Sequence, residues 1–296
     1  MKDIIIGGAS NYTWNELRYW VNSIKKSGFD GDIALCMTNV SKETIDILRS
    51  KDVKLFLYGT PKSDGSYAYE KKEVSHVERF AHIFHYLSST REKYRYVITT
   101  DTRDVIFQNN PSTWLENNLN EHKIVCSSEG LIYENEPWGN KNLLETFGDY
   151  FYDILKKEII YNVGTIAGEF KYVRDLLLMI FQMSINRPIP IVDQAVFNFL
   201  INFEPYKEMT RKTTHKDGWA VQLGTSPQGV KSGSGDIGYV ASQNPTEYIK
   251  YQMNYLDKTP IIENDIVMNQ DRIPFTIVHQ YDRVKELSPA IKSIYE

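Results

Sequence analysis

Two carboxylates three positions apart, Asp101 and Asp104, follow a β-branched apolar run within Tyr96–Gln108. The run predicts a buried strand, and a second apolar triplet, Val105–Phe107, follows at once. Carboxylates at the carboxyl end of a buried strand can present a ligand site, and hard divalent cations prefer oxygen ligands. The pair therefore indicates a cation site with coordination positions left open for phosphate oxygens. The alternative is a surface turn in which Arg103 neutralises one carboxylate.

A histidine ends the final apolar run of the sequence. That run is Phe275–Val278, and His279 follows it directly. If the run is a strand, its end can bring the imidazole to the sheet edge where Asp101 and Asp104 lie. Carboxylate and imidazole ligands together suit Mn²⁺ rather than Ca²⁺. Because a single histidine is more often structural, a buried side chain without a metal is the alternative.

Two further segments place polar residues where a strand pattern breaks or a helix pattern begins. Asn162-Val163-Gly164 interrupts the apolar run Ile159–Ala167, and the missing side chain of glycine would let a ligand or backbone come close. A β-bulge explains the same break. Asp193 and Gln194 open a helical pattern, where aspartate is favoured by propensity alone. Both segments are candidate substrate contacts with a structural alternative.

Arg79 and Glu129 are additional charged candidates. Arg79 falls near the polar flank of the helical pattern Glu73–Ser88, so a solvated side chain is the alternative to a ligand contact. Glu129 follows a predicted strand, and Trp138 lies in an irregular segment, Tyr133–Asn142. These two residues are compatible with an acceptor pocket or with a simple cap over the core.

Composition and charge restrict the class of protein. Hydrophobic residues make up 42% of the 296 residues and charged residues 24%, as in ordinary globular proteins. A net charge of −4 gives no electrostatic reason to expect nucleic acid or an anionic membrane as a partner. Cys36 and Cys126 lie in apolar strand-like runs and are expected to be buried thiols. The first apolar run is too short for a signal peptide or a transmembrane segment, so a cytoplasmic location is expected.

The apolar patterns predict an α/β fold with a mostly parallel central sheet and covering helices. The opening strands are expected at Asp3–Ile6, Asp32–Met37 and Val53–Tyr58, with helices at Trp14–Lys26 and Ser41–Arg49. Later strands are expected at Lys123–Ser127 and Trp219–Leu223, and later helices at Leu143–Lys156, Phe170–Ser184 and Val192–Ile201, with a further helix starting at Asn110-Pro111. Loops are expected at Gly7–Ser10, Ser63–Lys72 and the glycine-rich stretch Gly224–Gly238. Because no linker divides the chain, residues 1–296 are expected to form a single domain.

The order of these motifs resembles that of nucleotide-sugar glycosyltransferases with the GT-A fold, close to the glycogenin and bacterial galactosyltransferase group. It is similar to small polysaccharide glycosyltransferases with DxRD, PWGN, NxG, DQA and HQYDR segments. Here they are Asp101–Asp104, Pro137–Asn140, Asn162–Gly164, Asp193–Ala195 and His279–Arg283. The resemblance spans nearly the whole chain, and it rests on motif order rather than on any single motif.

The resemblance implies a role for each segment. Asp101, Asp104 and His279 would hold Mn²⁺ or Mg²⁺ against the diphosphate of a nucleoside-diphosphate sugar. The usual acidic motif has one residue between its acids and this one has two, so one carboxylate would touch the metal and the other the ribose, or a wider turn would re-aim both. The donor-binding set would comprise Gly7, Gly8, Ala9, Ser10, Asn11, Arg79, Asp101, Arg103, Asn162, Gly164 and Gln194. Residues 1–108 would form the nucleotide-binding half, and residues 109–296 the acceptor half with the C-terminal metal ligand.

The implied activity is sugar transfer to a hydroxyl of a glycan or another acceptor, as in polysaccharide biosynthesis. Asp193 is the first candidate for the catalytic base of an inverting reaction, and Glu129 is the second. One alternative is a sugar-phosphate nucleotidyltransferase, although Gly7–Tyr12 has no basic residue to bind a triphosphate. Another is a glycosyltransferase-like scaffold that binds a glycan or a partner without turnover.

Overall fold

The first strand, β1 (Lys2–Ser10), lies inside the main sheet of the computed structural model, which describes residues 1–70 and 73–296. The later strands are β2 (Asp32–Thr38), β3 (Lys54–Tyr58), β4 (Thr60–Pro61), β5 (Tyr67–Ala68), β6 (Tyr94–Thr100), β7 (Val105–Phe107), β8 (Ile124–Ile132), β9 (Ile159–Tyr161), β10 (Thr165–Glu169), β11 (Thr210–Thr213), β12 (Ala220–Gln222), β13 (Ile261–Glu263), β14 (Ile266–Met268) and β15 (Ile277–His279). The main sheet has the order β11-β8-β10-β6-β1-β2-β3, with β9 beside β8. Neighbours in it run parallel except at β10, which is antiparallel to β6 and β8, and at β9. The mostly parallel α/β architecture is confirmed.

The helices are α1 (Trp14–Lys26), α2 (Lys42–Ser50), α3 (Ser75–Ser89), α4 (Pro111–Asn118), α5 (Pro137–Leu155), α6 (Phe170–Ser184), α7 (Asp193–Asn202), α8 (Tyr206–Met209), α9 (Pro227–Lys231), α10 (Gly235–Gln243), α11 (Pro245–Asn254) and α12 (Leu287–Ile294). Local sequence explains several starts. Ser41 caps α2 and Asn110 caps α4, which has proline at its first position. The boundaries predicted for α1 and α6 agree with the structure, and the predicted α2, α3, α4 and α7 are present within two residues of their expected starts.

Both faces of the main sheet are covered. Ile4 and Ile6 of β1 pack into a core with α3, α6 and α7, whereas Ile5 points to the other face, against α1 and α2. All three side chains are fully buried. Trp20 of α1 belongs to the second core, and its indole N–H donates to Thr100 at the end of β6 over 2.8 Å. Burial on both faces explains why these strands read as continuous apolar runs.

A small second sheet, in the order β12-β15-β7, joins the C-terminal segment to the region after β6. β15 is antiparallel to β7, so His279 lies opposite Val105. It is parallel to β12, so His279 also lies beside Gln222. The register therefore places His279 beside Val105, the residue that directly follows Asp104.

The prediction of a loop at Gly7–Ser10 is wrong, because β1 continues through these residues to Ser10. The two glycines allow close packing rather than a flexible turn. A Cβ on Gly7 would lie 2.2 Å from the Thr102 methyl group, and one on Gly8 would lie 2.7 Å from the Cβ of Arg79. Neither contact leaves room for a side chain, so glycine is required for the neighbouring strand end and helix to approach.

Three other segments that were expected to be loops or irregular also contain helices or strands. Gly224–Gly238, expected as a mobile loop, contains α9 and the start of α10, with Ser226 capping α9. Tyr133–Asn142, expected as irregular, contains the start of α5, where Glu136 accepts hydrogen bonds from the first backbone N–H groups. In the segment Ser63–Lys72, β5 forms a short ladder with β4, and Lys71 and Lys72 lie outside the described residues. Local polar composition alone did not reveal these caps.

The break in the strand pattern at Asn162-Val163-Gly164 is confirmed, because it separates β9 from β10. In the described part of the chain, no helix combines the length and apolar character needed to cross a membrane.

The side chain of Asn198 in α7 fixes the strand just before this break. Its amide accepts from the backbone N–H of Tyr161 over 2.8 Å and donates to the carbonyl of the same residue over 2.7 Å. Asn198→Leu should therefore leave the buried N–H and carbonyl groups of Tyr161 without these hydrogen bonds and lower the free energy of unfolding by about 2–5 kcal/mol. Urea denaturation would measure the change. The exposed control Asn117→Leu should stay within about 0.5 kcal/mol, and equal effects of the two substitutions would contradict the role of Asn198.

Candidate functional site

Asp101, Asp104 and His279 meet at the carboxyl end of β6. The two aspartates lie in the turn between β6 and β7, and β15 brings the imidazole to them. His279 Nε2 lies 3.4 Å from Asp101 Oδ2 and 3.6 Å from Asp104 Oδ1. One donor atom from each residue falls within 4.8 Å of the others. Two carboxylates and an imidazole at this spacing fit a divalent cation such as Mn²⁺.

Gln222 fixes the tautomer of His279. Its amide nitrogen donates to the hydroxyl oxygens of Ser127 and Thr165, over 2.7 and 3.1 Å. Its Oε1 must therefore face His279, and the histidine Nδ1–H donates to it over 2.6 Å. A neutral imidazole then carries its lone pair on Nε2, the atom that faces the two aspartates. No motif in the sequence pointed to Gln222, although an amide inside the apolar run Trp219–Leu223 was a usable signal.

Gly164 forms the floor of the cluster. A Cβ on it would lie 2.8 Å from both Asp101 Oδ2 and the Cε1 of His279. Its carbonyl accepts from the backbone N–H of Asp101 over 3.0 Å, and its own N–H donates to the Asn162 side chain over 2.7 Å. The close approach predicted at Gly164 is thus made by Asp101 and His279, two members of the cluster.

Arg79 connects the cluster to α7. Its guanidinium contacts Asp101 and lies 3.2 Å from Asp193 Oδ2. The alternative of a solvated side chain is wrong, because only 14% of the Arg79 side chain is exposed. Helical periodicity put Arg79 at a polar flank, and that flank faces the charged cavity instead of solvent. This arginine compensates two carboxylates that are far apart in sequence.

Arg103 contributes a more exposed positive charge. Its guanidinium lies 3.5 Å from Asp104 and 3.4 Å from Asp282. Burial by itself would raise the pKa of Asp104, but His279 and Arg103 hold that pKa well below its usual range. The surface-turn alternative is correct about the pairing of Arg103 with an aspartate and wrong about the location, because Asp104 is buried.

A chain of polar side chains leads from Gly164 to Glu129. The Asn162 amide donates to Glu129 Oε1 over 2.7 Å and to the side-chain oxygen Oε1 of Gln194 over 3.3 Å. Glu129 and Asp193 are both buried, as is Asn162. Burial raises the pKa of Glu129 to about 7, and Glu136 adds to the shift, while Asn162 acts against it. The cluster therefore contains a carboxyl group that changes charge near neutral pH.

These residues surround a single cavity of about 760 Å³. Its lining includes the candidates Gly8, Ala9, Ser10, Arg79, Asp101, Arg103, Asp104, Glu129, Asn162, Gly164, Asp193, Gln194 and His279. Gly7 lies beneath Thr102 and Asn11 is exposed at the end of β1, so the structure places these two outside the lining. The lining also includes residues that no sequence motif indicated, among them Tyr12, Thr38, His82 and Tyr251. The volume is that of a small-molecule or cofactor site.

Replacing Gln222 should weaken metal binding without abolishing the fold. In Gln222→Leu the hydroxyls of Ser127 and Thr165 still pair with each other, over 2.9 Å. His279 loses the acceptor that orients it, so we expect the affinity for Mn²⁺ to fall about 10–100-fold. Calorimetric titration with Mn²⁺ would measure it, with exposed Gln252→Leu as the matched control. An unchanged affinity in Gln222→Leu would exclude this orienting role.

Glu129 should make stability depend on pH. Its pKa is raised from 4.5 to about 7 on folding, so the folded state holds a proton that the unfolded chain has lost. Stability relative to Glu129→Gln should therefore fall as pH rises from about 4.5 to about 7, by an order of 3 kcal/mol. Urea denaturation of both proteins at pH 5 and pH 8 tests this. A difference in stability that does not change with pH would show that the carboxyl group is ionised throughout.

No family model matches the chain, and no curated protein matches it. The fold of the chain is similar to that of several solved structures. The galactosyltransferase LgtC, solved in complex with donor and acceptor sugar analogues, is 12% identical, with 93% of this chain and 86% of LgtC covered and a TM-score of 0.51. The glycosyltransferase GlyE of Streptococcus pneumoniae TIGR4 is 14% identical, with 95% of this chain covered and a TM-score of 0.50; the chain spans about half of GlyE, 54%. The chain has the fold of the GT-A nucleotide-sugar glycosyltransferases.

Proposed function

We propose that the protein is a metal-dependent glycosyltransferase that moves a sugar from a nucleoside-diphosphate sugar to a hydroxyl group of a glycan or another acceptor. The observation that carries this proposal is the Asp101, Asp104 and His279 cluster at one cavity of a GT-A fold. The similarity to LgtC, which was solved with donor and acceptor sugar analogues, supports the same class of substrates.

The metal would be held by the two aspartates and His279, with Mn²⁺ as the first candidate and Mg²⁺ as the second. A bound divalent cation would supply charge neutralisation to the departing diphosphate. Arg103 and Arg283 also line the cavity and would add positive charge on the same side. Since the growing charge on a diphosphate dominates the barrier, this arrangement is suited to sugar transfer.

The donor would span the cavity from β1 to α7. Gly8, Ala9 and Ser10 at the end of β1 would lie against the nucleoside, and Gly7 and Asn11 would act through the shape of this strand end. Arg79, Asn162, Gly164 and Gln194 would contact the diphosphate and the transferred sugar. Asp101 would serve as a metal ligand and, through its pairing with Arg79, as part of this donor surface.

Two buried carboxylates would serve the acceptor and the transferred sugar. Arg79 lies 3.2 Å from Asp193 Oδ2 and occupies that oxygen, which supports a sugar-binding role for Asp193. The pKa of Glu129, about 7, supports this residue as the base that takes the acceptor proton if the anomeric configuration inverts. This reverses the ranking expected from the sequence.

A thermal-shift panel of nucleoside diphosphates and nucleotide sugars, with and without Mn²⁺ or Mg²⁺, tests the proposal. A ligand at about 100 times its Kd should stabilise the native state by about 2.7 kcal/mol and raise the Tm. The shift should need the cation, vanish in Asp104→Asn and persist in the exposed control Asp149→Asn. Release of nucleoside diphosphate on adding acceptor hydroxyls would then show turnover. A shift without turnover would favour a binding scaffold, and the absence of any nucleotide shift would reject the donor site.

A further inference from the structure

A second cavity of about 460 Å³ lies beside the first, between the start of α5 and the helical pair α10–α11. Its lining residues come from these two regions: Glu134, Asn135, Pro137, Ile237, Val240, Ala241, Glu247, Lys250, Tyr251 and Asn254. We call this cavity the α10–α11 groove. Of its lining residues, Ile237 belongs to the glycine-rich segment Gly224–Gly238, which folds into α9 and the start of α10.

The groove is continuous with the candidate active site. Ile237 and Tyr251 line both cavities. Tyr251 is held in place at this junction because its hydroxyl donates to the carbonyl of Thr225. Tyr251 lines the first cavity together with Glu129 and Glu136, so its ring lies at the acidic end of that cavity. A ligand that enters the first cavity can therefore extend into the second.

The lining of the groove combines an apolar wall with polar ends. Ile237, Val240 and Tyr251 supply apolar and aromatic surface, whereas Asn135 and Asn254 supply amide donors and acceptors. A pyranose ring has the matching character, since its C–H face packs on aromatic and aliphatic groups while its hydroxyls need hydrogen-bond partners. An exposed tryptophan, Trp138, lines the first cavity one residue after Pro137 of the groove, and 41% of it is accessible.

We propose that the acceptor is an oligosaccharide, and that the α10–α11 groove binds its sugar units beyond the one that receives the transferred sugar. This inference rests on the proposed glycosyltransferase function. The reacting unit would lie between Glu129 and Trp138 in the first cavity. The following units would pass Tyr251 and lie along α10 and α11.

The charges at the groove define the acceptor further. Among the described side chains that line it, Glu134 and Glu247 are acidic and Lys250 is the only cation. Glu136, which precedes Pro137 of the groove, adds a carboxylate at the junction. A uronic acid or phosphate on the acceptor would meet an excess of negative charge, so the groove favours neutral or amine-bearing sugars.

Fluorescently labelled protein, with Mn²⁺ and the nucleoside diphosphate that gives the largest thermal shift, would be applied to an array of mono- to tetrasaccharides. The sugars carry neutral, amine or carboxylate groups, and short peptides are included alongside. Wild type should bind a neutral or amine-bearing di- or trisaccharide at least 10-fold more tightly than the matched monosaccharide. Val240→Arg should remove that gain and leave monosaccharide binding unchanged. The matched control is Ile249→Arg on α11: Ile249 is 57% exposed and Val240 is 51% exposed, and Ile249 does not line the groove. The control should bind like wild type.

A second variant, Glu247→Lys, should extend binding to carboxylate-bearing oligosaccharides. The proposal is overturned by equal binding of mono- and oligosaccharides, by equal effects of the two arginine substitutions, by a preference for acidic sugars in wild type, by peptide binding alone, or by no binding on the array. The metal-dependent nucleotide shift, measured on the same samples, separates the outcomes. If the nucleotide shift persists but binding does not depend on oligosaccharide length, only the proposal for the groove is rejected. If the nucleotide shift is absent, the proposed transferase function is rejected as well.

Discussion

The site depends on the compensation of three carboxylates that come from distant parts of the chain. Asp101, Asp104 and Asp193 all reach one cavity, where uncompensated negative charges would be expensive. Arg79 pairs with the first and third of these, and His279 lies beside the first two. The packing of β1, α3, α7 and β15 around the cavity serves this arrangement. Part of the local geometry follows from the need to bring these charges together. The glycines Gly7 and Gly8 of β1, for example, let Thr102 and Arg79 approach the strand.

The sequence predicted the parts of this arrangement that follow from local pattern. An apolar strand ending in acids must place them at a sheet edge, so Asp101 and Asp104 could be located from residues 96–108 alone. His279 was predicted for the same reason, since it ends a short apolar run. Strongly periodic helices such as α1 and α6 were predicted with their boundaries, because an amphipathic face and a polar flank decide them without help from the rest of the fold.

The remaining features depend on tertiary contacts that no local pattern contains. Periodicity showed only that Arg79 is on a polar flank, and the two aspartates that surround it come from residues 22 positions or more away. The tautomer of His279 depends on Gln222, whose own orientation is fixed by hydroxyls on β8 and β10. Glycine and serine in residues 224–238 suggested a mobile loop, yet Ser226 caps α9, and α10 completes the α10–α11 groove. Tertiary packing overrode local preference in each case.

The position of β15 has a consequence for the order of folding. Its pairing with β7 joins segments that are distant in sequence, so the loop-closure entropy of the intervening chain opposes that pairing. Until β15 docks, the aspartates after β6 lack their imidazole neighbour, although β6 can already pair with β1. A nascent chain that has formed the first strands therefore lacks a complete ligand cluster. The three side chains of the proposed metal site are thus together only once the last strand has reached its place.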